Sequence, residues 1–142
     1  MTVRNLIEGR QATITTCEAA CSVGEAVAIL AEQRIGAMPV VDNGELVGIF
    51  SERDVIYRIA SGGPEILGQP VRDVMTSPPV TVGPDTSALA ALSLMTRRRV
   101  RHLPVMAGGQ MIGFVSIGDL VKYRIDRIEA EAEAMRNYIQ TA

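Results

Sequence analysis

Two short stretches of the chain place a serine and an aspartate three residues apart, directly after an apolar run. They read LVGIFSERD, with Ser51 and Asp54, and MIGFVSIGD, with Ser116 and Asp119. A serine hydroxyl and the N–H groups of a following helix can bind an anion, and a carboxylate can accept both hydroxyls of a ribose. The same residues could instead cap their helices, as N-cap serines and first-turn acids. Spacing alone favours the capping interpretation.

Both stretches belong to an internal repeat with a constant offset of 65 residues. Subtracting this offset from a position in the second half returns the equivalent residue of the first half without a gap. The matching pairs include Thr81 and Thr16, Pro104 and Pro39, Val105 and Val40, Gly113 and Gly48, Ser116 and Ser51, and Asp119 and Asp54. A unit of about 60 residues is marginal alone, so we expect the two copies to pack together as one globule.

Each copy predicts the order β-α-β-β-α. The predicted elements are leading strands at 12–16 and 79–82, helices at 22–33 and 87–98, strands at 38–41, 46–50, 103–106 and 111–115, and second helices at 52–60 and 117–125. The turns DNGE and AGGQ join the paired strands as hairpins. Because proline cannot donate within a ladder, Pro39 and Pro104 are expected to begin their strands. The glycine- and proline-rich stretch 61–70 is expected to connect the copies.

Composition narrows the class of protein. The chain has 142 residues, of which 47% are hydrophobic, and a net charge of -2. It can bury a core, and its charge argues against nucleic acid or an anionic membrane as the main partner. No apolar run is long enough for a membrane span and the N-terminus lacks a secretory signal, so we expect a cytoplasmic protein. With two cysteines, Cys17 and Cys21, and one histidine, no metal site is expected.

Three segments carry a family resemblance: RIGAMPVVDNGELVGIFSERD, VRHLPVMAGGQMIGFVSIGD and the linking VRDVMTSPPVTVGPDTS. Over roughly residues 3–125 the chain resembles a tandem pair of CBS (cystathionine-β-synthase) domains, a Bateman module. The resemblance implies a mixed α/β (α+β) fold in which two β-α-β-β-α repeats pack as a pseudo-twofold pair, with a C-terminal helical extension. The expected division is 1–65 for the first repeat, 66–125 for the second and 126–142 for the extension.

The resemblance also implies two clefts that commonly take adenosine-containing ligands, with the serine beside a phosphate and the aspartate beside a ribose. One cleft would combine Ser51, Arg53 and Asp54 with Val80, Arg101, His102 and Leu103. The other would combine Ser116 and Asp119 with Thr15, Ala37 and Met38. Where the first has Arg53, Arg101 and His102, the second has Gly118, Gly36 and Ala37. We therefore expect unequal sites, with the nucleotide phosphate in the cationic cleft and the other cleft weaker, empty or holding a less charged adenosine moiety.

The run RRRVRH at 97–102 divides into two parts. Arg97 and Arg98 are interpreted as a solvated helix end, and Arg101 and His102 as phosphate contacts. The tail after the second repeat spaces apolar residues at three and four, which is an a/d seam. Its members are Ile125, Ile128, Ala132, Met135 and Ile139. Such a helix could fold back on its own module, but a homodimer contact is preferred.

The sequence thus predicts a non-catalytic sensor that binds an adenine nucleotide, AMP first and ADP, ATP or NAD as alternatives, and acts on an unidentified protein target. A ligand-free dimerisation scaffold is the alternative. A nucleotide-processing enzyme is less favoured, because no Walker loop, G-x-S-x-G or H-E-x-x-H motif occurs in the sequence.

Overall fold

The computed structural model describes residues 2–8 and 13–141. Five α-helices lie within these residues: α1 (Val3–Glu8), α2 (Val23–Gln33), α3 (Glu52–Gly62), α4 (Ala88–Arg98) and α5 (Ile117–Thr141). The five strands are β1 (Cys17–Glu18), β2 (Ala37–Asp42), β3 (Glu45–Ser51), β4 (His102–Ala107) and β5 (Gln110–Ser116). Two short 3-10 helices, Pro64–Gly68 and Val71–Asp73, lie in the connection between the repeats. The mixed α+β fold predicted from the repeat is confirmed.

The two hairpins form as the turn sequences predict. β2 pairs antiparallel with β3 and β4 with β5, and each pair contains one irregularity at the same repeat position. Asn43 and Gly44 turn the first hairpin with φ of 53° and 80°, and Gly108 and Gly109 turn the second with 59° and 78°. Positive φ at both central residues gives the turn twist that matches paired strands.

The leading strands differ from the prediction in length and place. Residues 13–16 are irregular, residue 12 lies outside the described residues, and the strand is the two-residue β1, which pairs parallel with β2. In the second repeat, the predicted strand at 79–82 is reduced to a single parallel bridge between Val82 and Val105. Each leading segment therefore pairs with its hairpin over only one or two residues.

The prolines do not begin their strands, contrary to expectation. Pro39 and Pro104 are each the third residue, after β2 begins at Ala37 and β4 at His102. The carbonyl of Pro104 accepts a hydrogen bond from Val82 N at 3.0 Å, so its nitrogen lies along the same edge of β4. Because the leading segment pairs so briefly there, no donor is needed from the proline.

The buried residues form two clusters, one for each repeat. The first cluster contains Met38 and Phe50, and the second contains Leu103 and Leu120. Helix α1 packs on the second cluster although it precedes the first repeat: Val3 is fully buried there, and its N–H donates to Thr86 O at 2.8 Å. No sequence pattern predicted this helix, which packs on the repeat that follows the first one.

The C-terminal extension is a helix, as predicted, and continues α5 without interruption. Every described side chain from Ile125 to Thr141 is exposed. The alternative in which this segment folds back on its own module is therefore wrong. No helix within residues 2–8 and 13–141 is long and apolar enough to cross a membrane.

Candidate functional site

The repeated serine and aspartate cap the helix that follows each hairpin. Asp54 Oδ2 accepts hydrogen bonds from Ser51 N at 2.9 Å and from Ser51 Oγ at 3.1 Å. In the second repeat, Asp119 Oδ2 accepts from Ser116 N at 2.8 Å and Asp119 N donates to Ser116 Oγ at 3.1 Å. These reciprocal bonds satisfy N–H groups that a helix start leaves without partners. The capping interpretation is confirmed in both copies.

After capping α3, Asp54 still has hydrogen-bond acceptor positions for other partners. Its second oxygen, Oδ1, accepts a hydrogen bond from Thr76 Oγ1 at 3.1 Å. An ionised carboxylate offers about four acceptor positions on its two oxygens, so Asp54 can still accept from a ligand hydroxyl. Thr76 comes from the connection between the repeats. Comparison of the two copies could not reveal it, because the equivalent position by the repeat offset holds Gln11 and not a second threonine.

The first cleft lies between the start of α3 and the segment that follows α4. It is a cavity of about 230 Å³ whose wall is apolar at Ile49, Pro79 and Val80. Ser51 and Asp54 line it from the first repeat. Its cationic lining consists of four arginines: Arg53, Arg98, Arg99 and Arg101. An apolar slot with a hydroxyl, a carboxylate and several cations matches the chemistry of a phosphorylated nucleoside.

The arginines of this cleft are held loosely. Arg53 Nη1 donates to the carbonyl of Arg99 at 3.1 Å, and Arg101 Nη2 lies 3.8 Å from Glu52 Oε1. Both partners of the longer pair are more than half exposed, 52% for Arg101 and 58% for Glu52. Exposed pairs of this kind contribute about 1 kcal/mol or less. A phosphate could therefore replace these partners at small cost.

The second cleft is larger and less cationic. Its volume is about 500 Å³, and Ser116 and Asp119 lie in its lining together with Thr15 and Ala37. The comparison of copies implied that this cleft has no cation, but Arg34 lines it. Arg34 ends α2 in the left-handed conformation with φ 56°, as Arg99 ends α4 with φ 54°. The comparison missed Arg34 because it considered only the positions matching Arg53, Arg101 and His102.

His102 forms part of both clefts. Its ring stacks on Phe114, with centroids 5.4 Å apart and planes at 14°. Burial, followed by the charge of Arg101, lowers the pKa of His102 below its usual range, while Asp119 and Glu52 act in the opposite direction. A neutral imidazole is favoured near neutral pH, so His102 is better suited to donating one hydrogen bond than to supplying a charge.

Of the predicted site residues, all but two line the cleft to which they were assigned. Leu103 and Met38 are fully buried and their side chains belong to the second and first cores. Their side chains therefore do not line the clefts, since neighbouring residues of a strand point to opposite faces. The assignment of Leu103 and Met38 as nucleotide-binding residues stays a prediction. Arg98, interpreted as a solvated helix end, is exposed and also lines the first cleft. The polar side chains that the structure adds include Thr76 and Arg99 in the first cleft and Arg34 in the second.

The cysteines are thiols in ordinary structural positions. Burial raises the pKa of Cys17 to about 12, and burial together with a hydrogen bond to Glu25 raises that of Cys21 to about 11. Thiols of this kind stay protonated at neutral pH and are poor nucleophiles and metal ligands. No group of three or more potential metal ligands occurs within the described residues.

Known proteins share both the sequence pattern and the fold. The chain is 38% identical over 129 residues to the mitochondrial CBS domain-containing protein CBSX3 of Arabidopsis thaliana, an alignment that covers 87% of this chain and 63% of that protein. A CBS-domain protein of Agrobacterium tumefaciens superposes with a TM-score of 0.83 at 35% identity, over 87% of this chain and 92% of the other.

A second solved structure contains a ligand. CBSX2 in complex with AMP superposes with a TM-score of 0.74 at 28% identity, over 88% of this chain and 96% of the other. Residues 11–61 and 71–126 each match the CBS domain family. The chain therefore belongs to the CBS domain family, as a tandem pair.

Proposed function

We propose that this protein is a non-catalytic regulatory module that binds an adenine nucleotide, AMP in the first place, in the cleft between its two CBS repeats. The observation that carries the proposal is the convergence in one cleft of Ser51 and Asp54 with four arginines across an apolar wall. Ser51 and the start of α3 would hold the phosphate side and Asp54 the ribose hydroxyls. The CBSX2 complex with AMP supports the ligand class.

The size of the first cleft favours a mononucleotide. Its volume of about 230 Å³ is below the range of about 300–1,000 Å³ usual for sites that enclose a whole drug-sized ligand. A base and ribose would fill it and leave the phosphate among the arginines. ADP, ATP and NAD remain alternatives that would extend further out of the cleft. The second cleft would bind the same ligand more weakly, because Arg34 is the one arginine in its described lining.

A regulatory module needs a recipient for its signal. We propose that the protein acts as a cytoplasmic homodimer whose nucleotide-bound form is recognised by another protein. Such coupling requires the nucleotide to bind one conformation more tightly than another. A scaffold that binds no nucleotide is the competing function, and the exposed helix α5 is the feature that favours it.

Calorimetric titration with AMP, ADP, ATP, NAD and adenosine tests the proposal. Asp54→Ala should weaken AMP binding at least tenfold, since a ribose hydroxyl loses a charged acceptor. Asp119→Ala is the matched control, because it removes the equivalent cap from α5. It should change the tighter site by less than about threefold. Equal losses in the two variants would contradict the unequal clefts.

A thermal scan extends the same test. A ligand at about a hundred times its Kd stabilises the native state by about 2.7 kcal/mol, which raises Tm measurably. If none of the five compounds raises Tm or releases heat on titration, the nucleotide proposal is contradicted and the ligand-free scaffold is favoured. Conversion of any nucleotide by the purified protein, detected by chromatography, would show an enzyme instead.

A further inference from the structure

Helix α5 carries an apolar seam that is longer than the tail alone. Val121, Ile125, Ile128, Ala132, Met135 and Ile139 follow one another at alternating intervals of four and three residues. Their large side chains are exposed: the exposed fraction is 43% at Val121, 49% at Ile128, 61% at Met135 and 67% at Ile139. This is the heptad spacing by which two helices supercoil, with Ile125, Ala132 and Ile139 at a and the others at d.

The charged residues beside this seam have a definite order. The e positions hold Lys122, Glu129 and Arg136, and the g positions hold Arg124, Glu131 and Tyr138. In a parallel pair, each g residue faces the e residue five positions later on the second helix. Arg124 then faces Glu129, and Glu131 faces Arg136. Each of these attractive pairs occurs twice, because the two copies are related by symmetry.

An antiparallel pair of the same helices would bring like charges together. When the seams overlap over their full length, e faces e and g faces g. Lys122 then meets Arg136 of the second copy, Glu129 meets Glu129 and Glu131 meets Glu131. Like charges directly opposite each other destabilise pairing, and such repulsion selects among partners. The flanking charges therefore distinguish the two orientations.

We propose that α5 pairs with α5 of a second copy as a short parallel coiled coil, in register, from Val121 to Ile139. The proposal deepens the homodimer of the proposed function and rests on it. The first turn of α5 is capped by Ser116 and Asp119 of the second cleft, so the paired helix begins at that cleft. Fewer than three heptads give a weak coil, so the dimer should dissociate in the micromolar range.

Two charge reversals at e positions test the orientation by sedimentation equilibrium of the full chain. Arg136→Glu places a glutamate opposite Glu131 in the parallel pair, and should weaken the dimer about tenfold at low salt. Lys122→Glu is the matched control, since its parallel partner is the uncharged Ile117, and it should change dimerisation by less than about threefold. In an antiparallel pair both variants would dimerise more tightly than the wild type, which would overturn the proposal.

Compensation and seam variants complete the test. Adding Glu131→Arg to Arg136→Glu restores an attractive pair, and should return the dimer to within about threefold of the wild type. Ile128→Asp should weaken the dimer at least a hundredfold, and circular dichroism should show that α5 remains helical because Ile128 is half exposed. A dimer that survives Ile128→Asp, or a trimer mass, would overturn the proposal.

The same preparations separate the two proposals. A wild-type protein that is monomeric at all concentrations overturns the homodimer and the coiled coil, whereas AMP binding by that monomer leaves the nucleotide function intact. A dimer that responds to the variants as expected but binds no nucleotide supports the coiled coil alone.

Discussion

At the scale of single residues, Asp54 and Asp119 each cap the N-terminus of the helix to which they belong. The bonds from Ser51 to Asp54 and from Ser116 to Asp119 fix the carboxylates at the start of α3 and α5. Capping and binding are therefore compatible uses of Asp54, since its cap uses Oδ2, and Oδ1, which accepts from Thr76, keeps a further acceptor position. A carboxylate already fixed in place loses little conformational entropy when a ribose binds.

Arg101 is the residue whose proposed contact with the phosphate is easiest to test without destabilising the fold. Among the described residues its exposed side chain has one distant partner, Glu52 at 3.8 Å, so its removal should cost little stability. Arg101→Ala should weaken AMP binding by about tenfold to a hundredfold, the usual value of a hydrogen bond between charged groups. Adenosine, which has no phosphate, should lose less than about threefold. Parallel titrations with the two ligands measure the difference.

Arg97→Ala provides the control for this prediction. Arg97 is exposed at the end of α4, carries the same charge and does not line the first cleft. Its removal should leave AMP affinity within about threefold of the wild type. A uniform loss of AMP and adenosine binding in Arg101→Ala would mean that Arg101 shapes the cleft instead of contacting phosphate.

At the scale of elements, Gly48 and Gly113 mark where a segment that precedes one repeat packs against the hairpin of the other repeat. A Cβ at Gly48 would lie 2.9 Å from the carbonyl oxygen of Thr76, in the connection between the repeats. A Cβ at Gly113 would lie 2.6 Å from Cγ2 of Ile7, on α1. In both copies the segment preceding one repeat crosses the hairpin of the other, and glycine leaves room for it.

The two glycines should differ in their tolerance of alanine. Gly48→Ala forces a backbone carbonyl to move, and should destabilise the protein by about 1–3 kcal/mol. It should also weaken AMP binding, because Thr76 bonds Asp54. Gly113→Ala meets only a side chain and should cost less. Urea unfolding monitored by circular dichroism gives both values.

A second substitution checks the cause of the glycine effect. Combining Gly113→Ala with Ile7→Ala removes the clash, so the double variant should be more stable than the sum of the two single losses implies. No comparable side-chain change can relieve Gly48→Ala, since its obstacle includes main chain. Equal stability of Gly48→Ala and the wild type would contradict the close crossing.

The same elements show what can be read from the sequence and what cannot. Local signals predict the hairpin turns at Asn43 and Gly108 and the serine caps, because turn and cap geometry depend on a few adjacent residues. Features that depend on packing between the repeats carry no such signal. The crossing of α1 and the bond from Thr76 belong to that class.

At the scale of the whole molecule, the pseudo-twofold repeat creates two clefts that differ in charge. The larger cleft, of about 500 Å³, is the one with fewer arginines. Volume therefore favours ligand binding in the second cleft, whereas positive charge favours the first. Charge should decide for a phosphorylated ligand, because a charge-assisted hydrogen bond is worth more than extra space. His102 lies in both linings and stacks on Phe114, which lines the larger cleft.

If missing cations are what weakens the second cleft, one arginine should strengthen it. Gly118 occupies the position equivalent to Arg53, and a Cβ there would meet nothing closer than Ser116 Oγ at 3.6 Å. Gly118→Arg, made together with Asp54→Ala to suppress the first cleft, should bind AMP about tenfold more tightly than Asp54→Ala alone. Gly118→Gln in the same background controls for the helix-stabilising effect of replacing glycine and should give no gain. Calorimetry measures all three proteins, and an equal gain from glutamine and arginine would show that charge is not what distinguishes the clefts.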